Sequence, residues 1–305
     1  MKAWKVFYLC ILFLSAFSTA QEVNSRLQSQ HQIFLKYNEK SPFIFIGKID
    51  VNKANGAATP ILYPGDNALI FFTAILAHAA INSGIDHSRL SKEQEDANKV
   101  FDDYQPYIQK FNNTDSVVIP QLKVALAEKN TDVVFLTDKN LKSGAQWEMD
   151  VSPIFFMTQN LGSLILYNKI LLQENFADDS KKPKKTASSN KKTANKNERI
   201  VVVISDPIAI PDYKHFWSDN EGSQFLDTLK KMYKESLSLV IANRLGNQRA
   251  EGAEQITVRY MEDGVKKVER GYVISSDCKR TLFESLSGEI KSVPNLDFLS
   301  CPSSV

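Results

Sequence analysis

Apolar and polar positions along this chain follow two periodicities, and the second half is the clearer. Residues 133–137, 147–158 and 163–173 are rich in aliphatic, aromatic and β-branched side chains, which predicts strands. The last two are separated by Gln159, Asn160, Leu161 and Gly162, a turn-prone tetrapeptide, and read as a hairpin. Residues 199–205 form another apolar strand. From Phe225 the period changes to that of a helix. Phe225, Leu229, Met232, Tyr233, Ser236, Leu237, Val240, Ile241 and Leu245 share one face, with Asp219 or Asn220 placed to cap the start and Gly246 the end. Residues 206–220 read as a loop. Residues 256–261 and 265–274 then flank Glu262, Asp263 and Gly264 as a second hairpin, and strands over 281–286 and 289–293 turn about Ser287 and Gly288.

The first half is less regular. Residues 22–38 read as a short helix or loose chain, and 43–51 as a strand. Residues 67–85 contain no formal charge between Asp66 and Asp86, so they spell a transmembrane helix or a helix buried in the core. The short length between caps, the acidic flanks without adjacent lysine or arginine, and the alanine content favour the buried helix. Ser91 to Gln94 resembles a capping box for a helix to about Gln105, where Pro106 kinks or ends it. A short helix is expected over 120–129. Together these elements predict an α+β fold: an antiparallel sheet built from hairpins, packed on a buried apolar helix and a long amphipathic one.

Charge changes the picture at the amino terminus. Lys2 and Lys5 precede an uncharged run, residues 6–17, and the small residues Ser18, Thr19 and Ala20 follow. That order is an export signal cleaved after residue 20. As a helix the run rises only ~18 Å, too little for a bilayer core. The expected organisation is therefore a signal peptide at 1–20 and one α+β domain at 21–305. Removing Lys2 and Lys5 from 37 basic side chains leaves 35, equal to the 35 acidic ones. The balance hides an asymmetry. Lys181, Lys182, Lys184, Lys185, Lys191, Lys192 and Lys196 lie in a tract, residues 178–198, that has no apolar side chain larger than alanine. Such a tract predicts a disordered loop between neighbouring antiparallel strands, and it leaves the remaining body acidic. An acidic body excludes nucleic acid as a partner. The lysines themselves suit contact with an anionic surface such as membrane headgroups.

Two cysteines survive processing, Cys278 and Cys301, and in an oxidising compartment the pair reads as a disulfide. The four histidines, His31, His78, His87 and His215, show no zinc-ligand spacing. His215, beside Phe216 and Trp217, and His78, within the charge-free stretch, are the weak site candidates, with a structural role the plainer reading of each. Nucleophile-elbow, phosphate-loop, dinucleotide and calcium-loop motifs are missing. No catalytic residue, metal or cofactor is expected.

Tyr63-Pro64-Gly65, the segment Ala77-His78-Ala79-Ala80-Ile81, Trp217, Val268-Glu269-Arg270 and Ser292-Val293-Pro294 occur in an order that resembles exported proteobacterial proteins without an assigned activity. The resemblance implies a Gram-negative periplasm or envelope and brings no ligand. The expectation is an exported, non-catalytic envelope protein that binds another protein or an envelope component. Two alternatives stand beside it: a hydrolase-type enzyme whose site assembles only in three dimensions, and a membrane-associated protein using residues 67–85 and the lysine-rich loop.

Overall fold

The computed structural model describes residues 33–37, 43–49, 87–112, 133–136, 147–174, 196–245 and 254–301. The export signal, the stretch 67–85 and the expected helix 120–129 lie outside them. Ten strands form one sheet among the described residues: β1 (Ile33–Tyr37), β2 (Ile44–Lys48), β3 (Val133–Leu136), β4 (Trp147–Thr158), β5 (Leu164–Glu174), β6 (Lys196–Ile204), β7 (Ile256–Glu262), β8 (Val265–Ser276), β9 (Arg280–Ser285) and β10 (Ile290–Pro294). Their order is β3-β1-β4-β5-β6-β10-β9-β8-β7, with β2 paired to β4 off that path. The helices are α1 (His87–Asn98), α2 (Gln105–Asn112) and α3 (Tyr213–Leu245), with a 3-10 segment, Lys99–Tyr104, between the first two.

The fold is a mixture of helix and strand with a mostly antiparallel sheet, and the expected antiparallel sheet built from hairpins also contains parallel pairs. β1 pairs parallel with β3 and β4, β2 with β4, and β10 with β6. The hairpin signals are real: β4–β5, β7–β8 and β9–β10 each pair antiparallel. What they leave open is which end of the carboxyl-terminal meander docks on β6. It is the last strand, β10, that lies there. Every residue of β10 is buried, while β7 at the outer edge alternates between exposed and buried.

β5 and β6 are hydrogen-bonded neighbours, as expected for strands joined by the lysine-rich tract. The tract itself is shorter than its composition suggested. Lys196, Asn197 and Glu198 already belong to β6 and pair with Gln173, Leu172 and Leu171. A strand partner supplies the stabilisation that this polar sequence lacks alone. Residues 33–37, expected as a short helix or loose chain, are likewise a strand, β1, whose order depends on its two neighbours.

Helix boundaries moved in three places. α1 extends back to His87, and Gln94 caps nothing. Its amide donates to the carbonyl of Gly47, 2.8 Å away, and to Asn98 Oδ1. Pro106 starts α2 instead of ending its predecessor, since the first helical turn needs no proline N–H. Within the expected loop 206–220, α3 begins at Tyr213. Asp219, Asn220, Glu221 and Gly222 then leave helical geometry, the last three with positive φ. The cap signal at Asp219 and Asn220 therefore marks an internal kink.

α3 buries the face that its periodicity predicts. Phe225, Leu229, Met232, Tyr233, Leu237 and Val240 join Met149, Phe155, Leu166, Val201 and Val203 of the sheet, with Phe101, Tyr104 and Phe111 from the segment after α1. A second core lies on the other face: Ile46, Ile154, Ile165, Ile200, Val202 and Ile204, roofed by Val258, Tyr260, Phe283 and Val293. The sheet curls to make that roof. Tyr260 bridges to Asn295, the Asp263 amide donates to Ser163 Oγ at 3.0 Å, and Lys48 pairs with Glu262. Asp263 and Gly264, both at positive φ, form the tight turn at the hairpin tip.

α1 approaches β2 so closely that only glycine fits. A Cβ on Gly47 would lie 1.9 Å from the Ala97 carbonyl oxygen, and the Gly47 amide donates to Asn98 Oδ1 at 2.9 Å. Backbone cannot yield as a flexible side chain can. Gly47→Ala is therefore expected to destabilise the fold by about 3 kcal/mol, measured as a shift in urea midpoint.

Cys278 and Cys301 are joined, with Cα atoms 5.8 Å apart and a sequence separation of 23. The bond ties the end of the chain to the β8–β9 turn. Closing a loop of that length restricts the unfolded chain, so Cys301→Ser is expected to cost about 3 kcal/mol. The Cys278→Ser/Cys301→Ser pair should lose no more than the single variant.

Candidate functional site: a buried lysine between carboxylates

β10 is a central strand, and its second residue is a lysine. Backbone alternation aims Ile290 and Ser292 at α3 and sends Lys291 into the second core beside Val293. Lys291 is 7% exposed and Glu289 is 2% exposed, an arrangement that requires pairing. Lys291 Nζ lies 2.9 Å from Glu289 Oε2 and 2.9 Å from Glu269 Oε1, and donates to Glu269 Oε2 at 3.0 Å. The Tyr260 hydroxyl donates to Glu269 Oε2 at 3.2 Å. Glu289 Oε2 accepts no hydrogen bond among the described residues, so the lysine charge is what compensates it. Three strands thus converge: β8 brings Glu269, β7 brings Tyr260, and β10 with its preceding turn brings Lys291 and Glu289.

The electrostatics follow from that enclosure. Burial acts to lower the Lys291 pKa, but Tyr167, Glu289 and Glu269 outweigh it and hold the ammonium above the ordinary lysine range. At neutral pH the tyrosines are uncharged, so the two carboxylates do this. Burial raises the Tyr167 and Tyr260 hydroxyls well above a free phenol, and nearby carboxylates add to the effect. Tyr104, in the other core, is pushed up to about 12 by burial and then by Asp103. All four groups hold their protons more tightly folded than unfolded. Below pH ~10 both states are protonated and the stabilisation is complete. Above it the unfolded chain releases protons that the folded chain keeps, so stability falls as pH rises, by about 1.4 kcal/mol per pH unit for each group. Chemical denaturation is expected to give flat stability from pH 7 to 9, a steep loss above pH ~10, and a shallower loss on that side for a chain whose Tyr104, Tyr167 and Tyr260 are replaced by Phe, because Lys291 remains.

A second polar cluster pins α3 to the sheet. Arg280 donates to Asp206 Oδ1 at 2.7 Å, to Ser292 Oγ at 3.1 Å and to the Ile204 carbonyl at 2.9 Å, with Glu235 3.4 Å from its Nε. Lys231 holds the other Asp206 oxygen at 2.5 Å. Every charge here has its partner, which makes the cluster a structural lock.

The residues singled out in the sequence are placed as follows. Trp217 is buried, and its indole donates to the Leu161 carbonyl at 2.7 Å, anchoring α3 on the β4–β5 turn. His215 is exposed, and its amide is accepted by Asp212 Oδ1 at the start of α3. The two do not converge on a site. His78 lies outside the described residues, as do Lys181, Lys182, Lys184, Lys185, Lys191 and Lys192, while Lys196 opens β6. No group of His, Cys, Asp or Glu suited to a metal occurs among the described residues. Sequence reasoning missed Lys291 and Glu289. Their signal was a lysine inside a strand of otherwise apolar or small residues.

No described helix is long and apolar enough to cross a membrane, and the joined cysteines are compatible with an exported protein. The fold and its interior charges define a mixed helix-and-strand protein with a disulfide-tied carboxyl terminus. No family model, curated protein or solved structure matches the chain.

Proposed function

We propose that the mature chain is an exported envelope protein of a Gram-negative bacterium that acts without catalysis, by binding another protein or an envelope component. The observation that carries this reading is the distribution of exposed apolar side chains. Of eight large exposed hydrophobic residues among the described ones, all but Ile210 fall between Ile256 and Leu299, Val268 at 60% and Leu299 at 62% among them. Concentrating such residues on one segment marks a contact surface more than scattered ones would. In the same reading, the interior charges of β10 are structural.

The test is affinity purification of the tagged full chain from the native envelope after mild crosslinking. A specific co-purifying protein or envelope component supports the reading. Recovery of the chain alone, or its retention in the membrane after carbonate extraction, overturns it.

A further inference from the structure

The outer face of the β7–β8 hairpin carries three cations around an exposed valine. Register places Arg259 opposite Val268, Met261 opposite Lys266 and Thr257 opposite Arg270. Lys266 and Arg270 flank Val268 on the same side of β8, so Arg259 stands diagonal to both, at about 7–8 Å between backbones. All three cations are exposed and make no ion pair among the described residues. That sets them apart from Lys48, Lys99, Lys214, Lys230, Lys231, Arg280 and Lys291, each of which meets a carboxylate. One carboxylate, Glu284, shares the face, opposite Tyr272. Further in, on β9, Leu282 packs against the helix-side core, and the face around Val268 lies beyond that cover.

We propose that this face docks an acidic segment of a partner protein, whose carboxylates meet Arg259, Lys266 and Arg270 while an apolar side chain rests on Val268. The proposal rests on the envelope-binding reading and names the surface and the chemistry of its partner. Three unpaired cations on neighbouring positions repel one another, and an anionic partner reverses that cost. A second copy of this chain fits poorly, because a two-fold contact would set the cations against themselves. A bilayer fits poorly as well. The hairpin tip is held against the body by Ser163 and Lys48, so the face is presented as a sheet surface without a projecting apolar wedge.

The experiment places a photocrosslinking amino acid at position 268 of the full chain in its native envelope, with position 92 on α1 as control. Mass spectrometry then identifies the joined segment. The expected result is a protein adduct at 268 only, through a segment rich in Asp and Glu. Its yield should fall at least about tenfold in Arg259→Glu/Lys266→Glu/Arg270→Glu and should fall also with added salt. Far-UV circular dichroism checks that the triple variant folds; if it does not, Arg259→Glu alone is used, with a loss of about threefold expected. An adduct indifferent to charge reversal, a non-acidic segment, an adduct of twice the chain mass, or binding only to phosphatidylglycerol vesicles overturns the proposal. A protein partner captured from other positions but never from 268 overturns it while leaving the envelope-binding reading standing. No protein partner from any position overturns both.

Discussion

Lys291→Ala is expected to destabilise the protein by about 3–5 kcal/mol. Truncation removes the one charge among the described residues that compensates Glu289, a residue 2% exposed whose Oε2 accepts no hydrogen bond among them. Glu269 is better placed to survive the loss, because the Tyr260 hydroxyl still donates to it. The informative comparison is with Lys291→Met/Glu289→Gln, which removes both buried charges and keeps most of the volume. It should lose less than half as much, since the cost lies in leaving one ion unpaired and not in deleting the pair. Urea titrations of the three chains at neutral pH make the measurement. Equal losses in both variants would show that the pair contributes through packing alone.

Trp217→Ala should produce a loss of similar size, about 3–5 kcal/mol, because it empties the space of the largest side chain in the helix-side core. The ring packs edge-on to Phe216 and Phe225, with centroids 4.8 and 6.3 Å away. Trp217→Phe separates packing from hydrogen bonding. It keeps an aromatic ring but leaves the Leu161 carbonyl without its donor, a loss of about 1–2 kcal/mol beyond the difference in volume. Because Leu161 sits at positive φ in the β4–β5 turn, the same variant should loosen that turn, read as faster amide exchange at Gly162 and Ser163. A Trp217→Ala chain as stable as the parent would remove Trp217 from the structural anchors and return it to the candidates for binding.

Much of the fold was legible because its signals are local. The β4–β5 hairpin falls where the apolar runs and the Gln159 to Gly162 turn put it. Asp263 and Gly264 adopt the left-handed geometry that a two-residue turn demands. The residues of α3 expected on one face are buried from Phe225 to Val240. The disulfide followed from the two cysteines left once the expected export signal is removed, read in an oxidising compartment. Even the neighbourhood of β5 and β6 was readable, since a polar tract between two apolar strands is more easily a loop than a link between domains.

Other features were not legible, each for a reason that lies outside its own segment. β1 is only five residues long and follows a polar stretch, so it passes for loose chain, and its order comes from β3 and β4 on either side. Gln94 looked like half of a capping box, yet it serves Gly47, 47 positions earlier. Trp217 stood out as an aromatic beside a histidine, but its partner is the main chain of Leu161, 56 positions away. Exposure of His215 and burial of Trp217 then separate two residues that sequence had grouped.

The amino-acid sequence by itself determined every described strand but β1, the hairpin turns, the amphipathic face of α3 and the pairing of Cys278 with Cys301. Each depends on periodicity, on backbone preference within a few residues, or on there being a single partner to choose. Tertiary structure alone decided that β10 and not β7 lies against β6, and hence that Lys291 is interior, held by Glu289 and Glu269, while Arg259, Lys266 and Arg270 remain outside. Strand order is a competition among whole surfaces seeking burial, and no local signal records its winner. The same lysine in the same pattern would have been a solvated surface charge had the meander docked the other way round.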